Sequence, residues 1–541
     1  VGIDAAFLKR MRAGAKTLSQ NAVEAYSESY LNRPLEDHSA VKTENELSLR
    51  AKIGPHKFVL KPFLHQLACL LLGITYSNFL FFLDMGAAKT CLILNVIRWR
   101  RARGQIKRTL VLVPNVVNIA TWVDQIALHA PELRAVRLDD ISRQERQARM
   151  SADGDIWILN YAGLQSLMTH FKVVGKTKKG RAKKKREIDM SMAYGIAGLF
   201  DCVVYDESHR IGNTAGLTFK MCTYLSERIT YRYGMTGTPH GRDPMLLWGQ
   251  YFLVDHGETL GANITMFRNV FFRKEEVPWG TGFRYVFRKR MKAQLNRLLQ
   301  HRAILYTPEE LKLSLPPLLP VPIHLDAPKD LVAHFQKVLE EARRMRKGDY
   351  AMAQSIYMRM RQLASGFLRL RDVDDDTKVD IAFDDNPKIE ATLEIYRNMP
   401  EDCKMVVFHD FLYSGKLIAE ALDKEGVKYL RLYGETKDKA AVRDQFIKDP
   451  SIKVLVANIA AVGTGTDGLQ EVANYEVFFD QPNGSIARMQ SVKRLHRPGQ
   501  PKTVYLIDLL MKDTWDDKIN GYNAEGKSLM RDICEKGVDA I

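Results

Sequence analysis

What this chain lacks narrows the field before any motif is read. Its longest apolar run, Leu67 to Leu72, is far short of the roughly 18 to 20 residues that a membrane-spanning helix needs. No N-terminal stretch has the charged, apolar and small-residue order of an export signal. Cysteine is scarce: six in 541 residues, at 69, 91, 202, 222, 403 and 534, with no pair at C-x-x-C spacing. That spacing argues against a structural zinc or dithiol redox site, and thiols set in apolar runs are expected to be buried and reduced. No sequence repeat recurs at a fixed short period, so solenoids and propellers are set aside. A soluble, intracellular chain is the expectation.

What is present is apolar enough to fold and strongly basic. Apolar residues make up 46% and charged residues 27% of the chain, which at this length suggests about two to four domains. Lys and Arg number 80 against 64 Asp and Glu, a formal net charge of +16. Such a surplus favours a polyanionic partner, because each neutralised phosphate releases condensed counterions. Many basic proteins bind no nucleic acid, so charge alone does not decide it. The most basic stretch, Lys172 to Arg186 (KVVGKTKKGRAKKKR), is too polar to pack and is expected to form a mobile loop. It is either simply solvated or in contact with a phosphate backbone.

Short apolar runs alternate with longer helical stretches in two blocks. In the first, Asn78 to Leu83, Thr109 to Val113, Asp155 to Leu159 and Asp201 to Tyr205 read as buried strands. In the second, Lys404 to Phe408, Lys428 to Leu432, Lys453 to Ala457, Tyr475 to Phe479 and Thr503 to Ile507 do the same. Such alternation predicts an α/β chain with parallel sheets covered by helices on both faces. The expected organisation is an accessory segment at 1–50, a first domain at 51–245, a partly helical linking region at 246–380, a second domain at 381–525 and a tail at 526–541. Within the linking region, Pro308 to Pro322 is proline-rich and Leu331 to Leu370 is helical in pattern.

Four segments carry chemistry. Leu83-Asp-Met-Gly-Ala-Ala-Lys-Thr90 follows an apolar strand and precedes a helical run. A strand, a glycine-bearing turn and a helix start surround phosphates with backbone N–H groups and a positive helix end. Gly86, Ala87 and Ala88 would line that turn, Lys89 would reach the β- and γ-phosphates, and Thr90 would hold Mg²⁺. Ala88 stands where such loops carry glycine; if the position needs φ > 0, alanine costs about 1 to 2 kcal/mol there. Next, Asp206 and Glu207 end a strand: the first suits Mg²⁺, the second can polarise an attacking water. A solvated acidic turn is the bland alternative. Thr236 and Thr238, in Tyr233-Gly-Met-Thr-Gly-Thr-Pro239, suit a sensor linking nucleotide and acids, unless they belong to an ordinary loop. Far downstream lies Gln490-Ser-Val-Lys-Arg-Leu-His-Arg-Pro-Gly-Gln500. Its Arg494 and Arg497, spaced i, i+3, are expected on one helical face, where arginine suits planar phosphate recognition.

In this order the four segments resemble the motifs of superfamily two helicases, and their detail resembles the Swi/Snf-type branch. Asp206-Glu-Ser-His-Arg-Ile-Gly-Asn213 is similar to that branch's acidic box, and Gln490 to Gln500 to its final motif. Weaker likenesses fall in sequence order. Lys61-Pro-Phe-Leu-His-Gln66 resembles the adenine-reading segment, with Gln66 the reader. Val113-Pro114 with Trp122, and Asn160-Tyr161, resemble DNA-facing motifs. Arg361 to Gly366 resembles the segment joining the lobes; Val407 to Asp410 and Gly434 resemble early motifs of the second lobe. Gly463-Thr-Gly-Thr-Asp-Gly-Leu-Gln470 resembles the glycine-rich coupling loop, which brings Gly465 and Asp467 to the nucleotide. The resemblance spans about Phe58 to Ile519. Two departures are Ala88 and a coupling loop about one residue longer than usual. The reduced protrusions resemble compact viral or bacterial members.

The resemblance implies two tandem RecA-like domains and a DNA-stimulated ATPase that walks on duplex DNA, with ATP and Mg²⁺ as its small-molecule requirements. It implies ATP between the lobes, with Lys89, Thr90, Asp206 and Glu207 on one side and Arg494 and Arg497 on the other. His209, Thr236, Thr238 and Gln490 would couple nucleotide to nucleic acid. It implies a setting in the cytoplasm or nucleoid of a bacterial or virus-infected cell, or a nucleus. Two alternatives stay open: a strand-separating DNA or RNA helicase, and a DNA-binding scaffold whose nucleotide pocket has decayed.

Overall fold

The computed structural model describes residues 25–84, 86–139, 141–176, 182–239, 243–276, 283–311, 315–345, 349–371, 378–436, 438–462 and 468–525. The chain divides into two units, one of residues 1–275 with 283–312, the other of 276–282 with 313–541.

In the first unit the strands are β1 (Asn78–Leu83), β2 (Thr109–Val113), β3 (Ala135–Arg137), β4 (Ile156–Asn160), β5 (Thr169–Lys176), β6 (Ala182–Ile188), β7 (Cys202–Asp206), β8 (Tyr231–Thr236), β9 (Phe272–Glu276), β10 (Phe283–Phe287) and β11 (Ala303–Tyr306). Seven of these form one sheet in the order β11-β1-β8-β7-β2-β4-β3, and every pairing in it is parallel. The four central runs expected from their apolar composition are there. Phe79 to Leu83, Leu110 to Val113, Ile156 to Leu159 and Cys202 to Tyr205 are buried, as strands covered on both faces must be. The edges β3 and β11 are short, of three and four residues, and Leu305 is 51% exposed, which is why periodicity alone does not find them.

In the second unit the strands are β12 (Leu318–Leu325), β13 (Phe367–Arg371), β14 (Lys378–Ala382), β15 (Met405–His409), β16 (Tyr429–Leu432), β17 (Val454–Asn458), β18 (Tyr475–Phe478) and β19 (Val504–Met511). Six form a second parallel sheet, in the order β12-β19-β18-β15-β17-β16. The α/β class with two parallel sheets therefore holds. The proline-rich stretch contributes β12, which lies at a sheet edge. Pro320 and Pro322, two residues apart, lack their N–H on the same side of the strand, and an edge leaves that side unpaired. Helices Lys329–Arg344 and Tyr350–Ala364 follow, in line with the helical pattern read there.

The basic run departs from expectation. Lys172 to Arg186 is no mobile loop across its described part: β5 and β6 pair as an antiparallel hairpin, with residues 177–181 outside the described residues. Phe171 and Val173 pair across the ladder with Arg186 and Lys184, a backbone pairing that composition alone conceals. Five cysteines, Cys69, Cys91, Cys202, Cys222 and Cys403, are free and buried, as expected; Cys534 lies outside the described residues. Among the described residues no helix is long and apolar enough to cross a membrane.

Candidate nucleotide and nucleic-acid site

The adjacency β1-β8-β7 decides which residues meet. Parallel strands end on one edge, and ligands gather beyond the carboxyl ends of such strands. Phe82 is in register with Thr236, and Asp206 with Met235, so the turn after β1, the acids after β7 and the threonines after β8 share that edge.

The turn after β1 runs into helix Lys89–Arg101. Its far end is anchored by buried Arg100, which donates to the Tyr233 hydroxyl at 2.7 Å and to the carbonyls of Gly73 and Tyr76 at 3.0 and 2.7 Å. Basic residues in the last turn suit the negative helix end, leaving the positive end at Lys89. The lysine Nζ donates to the carbonyls of Leu83 and Asp84 at 3.1 and 3.2 Å, folding back over the turn. Gly86 has φ +84°. Ala88 adopts φ 51°, ψ 47°, the left-handed conformation that glycine takes freely and alanine takes at a cost of about 1 to 2 kcal/mol. Its carbonyl accepts from the Gln66 side-chain amide at 3.3 Å and from Leu92 N–H at 3.1 Å. Gln66 is buried, and its own oxygen accepts from Phe63 N–H at 2.8 Å. Gln66 thus ties the start of helix Leu64–Thr75 to the strained residue. Ala87 is buried and its carbonyl hydrogen-bonds the His65 ring at 3.1 Å, while Thr90 is partly exposed. Met85 lies outside the described residues.

At the end of β7 the buried Asp206 takes the Trp122 indole N–H on Oδ2 at 3.0 Å and the Glu207 N–H on Oδ1 at 3.0 Å. Its carbonyl accepts from the Tyr161 hydroxyl at 2.8 Å. Trp122 and Tyr161 are 1% and 6% exposed, and both hold the acid in place from behind. Glu207 also has positive φ, at 48°. Its Oε2 accepts from the Thr236 hydroxyl at 2.8 Å and lies 3.3 Å from His209 Nδ1. The Thr236 hydroxyl receives Thr238 N–H at 3.1 Å and meets His209 Nδ1 at 2.9 Å. A hydroxyl has one proton and two acceptor positions. Since that proton goes to Glu207, His209 must present Nδ1–H, and the Thr236 oxygen is saturated. Thr238 Oγ1 lies 3.4 Å from the same ring nitrogen. Ser208, given no role by the sequence reading, donates to Gln250 at 2.8 Å and fixes the turn from below; no motif marks Gln250.

Burial works against both carboxylates. Asp206 is pushed above its ordinary range by burial and by the Glu207 charge, and the Trp122 hydrogen bond and Lys89 offset only part of this. For Glu207, burial is outweighed by the His209 hydrogen bond, the Lys89 charge and the Thr236 hydroxyl, and its carboxyl is held low. The two neighbouring carboxyls are thus driven apart, Asp206 upward and Glu207 downward. The oxygen donors Asp206 and Thr90 fit a hard cation that also takes phosphate oxygens. Among the described residues no cluster of three or more His, Cys, Asp or Glu offers an all-protein metal cage.

Farther along the same edge, beyond β2, β3 and β4, three helices begin: Val116–His129, Arg143–Met150 and Tyr161–Met168. Each is capped by a side-chain oxygen, from Asn115, Ser142 and Asn160. They border an open cavity of about 600 Å³ whose lining includes Val116, Asp139, Arg143, Arg146, Asn160 and Gly163. Converging helix N-termini with two arginines favour phosphate. Asn160, unlike Tyr161, does face this cavity.

In the second unit Gln490 lies on helix Ser485–Val492, but Arg494 and Arg497 do not share a helical face. The helix ends at Val492, and both arginines sit in the turns that follow. Pro498 disfavours helix at the preceding residue, and Gly499 takes φ +92°. The turn is pinned by buried Leu495, by the His496 ring on the Pro316 carbonyl at 2.9 Å and by Gln500 donating to Ala473 O at 2.7 Å. Gly465 and Asp467 fall outside the described residues. Arg361, at the end of its helix, is buried and pairs with Asp410 at 2.5 Å and with the Gln481 carbonyl at 2.8 Å.

Residues 26–376 match the SNF2-related domain. The chain is 27% identical over 230 residues to protein p41 of Acyrthosiphon pisum secondary endosymbiont phage 1, a match covering 41% of the chain and 44% of that protein. It is 21% identical over 446 residues to an uncharacterized ATP-dependent helicase of Mycoplasma genitalium, covering 81% of the chain and 38% of the helicase. The chain thus spans less than half the length of either relative. Among solved structures it is similar to the Sulfolobus solfataricus SWI2/SNF2 ATPase core in complex with dsDNA, at 20% identity and a TM-score of 0.39, covering 90% of this chain and 95% of that one.

Two variants test the site's geometry. Ala88→Gly is expected to raise unfolding free energy by up to about 1 kcal/mol, because relief of left-handed strain exceeds glycine's added chain entropy. A loss of about 1 kcal/mol in urea unfolding, usual for glycine in a helix, would contradict the positive φ. Trp122→Phe removes a hydrogen bond to ionised Asp206. That carboxyl should titrate at higher pH still, by carboxyl NMR or infrared difference titration; an unmoved or lowered midpoint would break the proposed support.

Proposed function

The chain belongs to the SNF2-related domain family, and from that premise we propose that it is an ATP-hydrolysing motor that translocates on duplex DNA. The observation that carries this reading is the joint placement of Lys89, Asp206, Glu207 and Thr236 at one sheet edge, with the arginine-bordered cavity beyond it.

Lys89 is the phosphate ligand: its ammonium now satisfies two carbonyls of the turn and exchanges them for β- and γ-oxygens when a triphosphate lies along the Gly86–Thr90 amides. Gln66 and the neighbouring Phe63, 54% exposed, are the groups available to the base. Asp206 and Thr90 would hold Mg²⁺, which when bound neutralises charge on the β- and γ-phosphates. Glu207, kept ionised by His209 and Thr236, orients and polarises the attacking water. Arg494 and Arg497 are the groups assigned to the charge that grows on the transferring phosphoryl group; such arginines are worth about 10³ to 10⁵ in rate in related NTPases. The Thr236 hydroxyl links the loop beyond β8 to Glu207, so a change at either is felt by the other. Gly465, Asp467 and Gln490 are assigned to the same coupling.

Nucleic acid is read at the phosphates. The cavity's helix ends and arginines can position a backbone without distinguishing bases, and the net charge of +16 supports a polyanionic track. The intact Lys89, Asp206 and Glu207 disfavour the scaffold alternative, to which only Ala88 lends weight.

An ATPase titration against duplex DNA, single-stranded DNA and RNA tests the reading. Hydrolysis stimulated most by duplex DNA is expected, with Glu207→Gln reduced by at least about 100-fold, the scale of lost water activation. Activity no higher than that variant's under all conditions would reject the motor; equal stimulation by RNA or preference for forked substrates would favour a strand-separating helicase.

A further inference from the structure

The hairpin β5–β6 is not explained by its own packing. An isolated two-stranded ribbon is marginal in water, and like charges directly opposite weaken it further. Here Lys172 faces Lys185 across the ladder. The described residues of the two strands, 169–176 and 182–188, hold six Lys or Arg and a single Glu, at 187. Glu187 lies 3.4 Å from Lys172 Nζ, one partial compensation for the group. Phe171 is 61% exposed, and the Arg186 guanidinium lies over its ring at 4.9 Å. The hairpin nevertheless has a firm root. Arg186 donates to the Gln165 amide oxygen at 3.1 Å, and the Gln165 amide donates to Thr218 at 3.0 Å. A ribbon anchored at its base and carrying six Lys or Arg against one Glu in its two strands suits an external polyanion.

Its position says which one. The hairpin leaves the C-terminal end of helix Tyr161–Met168, whose N-terminal end carries Asn160 and Gly163 into the cavity. Eight residues of helix span about 12 Å, roughly two phosphate spacings along one strand of a duplex. The cavity is further tied to the root: Arg143, in its lining, donates to the Leu167 carbonyl at 3.0 Å.

We propose that β5–β6 is a backbone clamp, a second phosphate-gripping surface that holds the duplex one helix length from the cavity. It rests on the reading of this chain as a DNA motor and adds to it the element that retains the track. The spacing suits phosphates on a continuous backbone, and lysine's point charge suits a contact that must be made and broken without regard to sequence.

The test is the salt dependence of duplex binding by the full chain, measured by fluorescence anisotropy with a labelled 30-base-pair duplex. The probe compares wild type, Lys183→Gln/Lys184→Gln/Lys185→Gln, and the charge-keeping Lys183→Arg/Lys184→Arg/Lys185→Arg; Arg186 is left to hold the root. Each lost phosphate contact reduces the slope of log K against log salt by about 0.9. The glutamine triple should therefore lose about two to three units of slope and bind about tenfold or more weakly at moderate salt, while the arginine triple keeps the wild-type slope. Thermal melting of the three proteins shows whether the unit stays folded. A steep wild-type slope unchanged in the glutamine triple overturns the clamp alone. Equal loss in the arginine triple overturns it too, since shape rather than charge would then matter. Wild-type binding that is absent or flat in salt overturns the clamp together with the DNA-motor reading.

Discussion

Everything at the candidate site depends on three neighbouring parallel strands ending on the same edge. The order β1-β8-β7 brings a lysine near residue 90 together with acids near 206 and threonines near 236, more than a hundred residues farther along the chain. The Thr236 hydroxyl is the point where they join. It gives its one proton to Glu207 and fills both acceptor positions from His209 and Thr238 N–H. A saturated hydroxyl in a buried setting has little freedom to move alone. The acid, the ring and the loop after β8 therefore behave as one unit, which is what a motor needs if nucleotide state is to be felt elsewhere.

The same edge stores strain. Ala88 and Glu207 both hold left-handed backbone, a conformation that costs a non-glycine residue on the order of 1 kcal/mol. Each is held by neighbours: Ala88 by the Gln66 amide on its carbonyl, Glu207 by Asp206, Thr236 and His209. Trp122 and Tyr161 brace Asp206 from behind, so the acid enters the site already oriented. Strain offset by surrounding hydrogen bonds is a mark of sites that need fixed geometry more than stability.

The central strands were legible because both their faces are buried, and buried parallel strands are continuous apolar runs. Three of the four edges were not: β3 and β11 are short, and β12 carries two prolines that only an edge tolerates, whereas the edge β16 was read as Lys428 to Leu432. Lys89, Asp206, Glu207 and Thr236 could be picked out because each stands at the end of a strand or at the turn that follows one. The i, i+3 spacing of Arg494 and Arg497 misled, because the helix ends at Val492, before either of them, and Pro498 and Gly499 do not let it resume. The inward turn of Trp122 and the support from Gln250 are tertiary pairings that leave no local trace. The hairpin was hidden because a run dominated by lysine lacks the apolar alternation that marks most strands.

The measurement that goes most directly to the central claim is amide hydrogen exchange on the full chain with and without a non-hydrolysable ATP analogue and Mg²⁺. The account predicts slowed exchange in the peptide spanning Asp84–Thr90, with smaller protection around Glu207–His209 and the turn from Arg494 to Arg497. Bound nucleotide that leaves the Asp84–Thr90 amides unprotected, while protecting some other part of the chain, would contradict it.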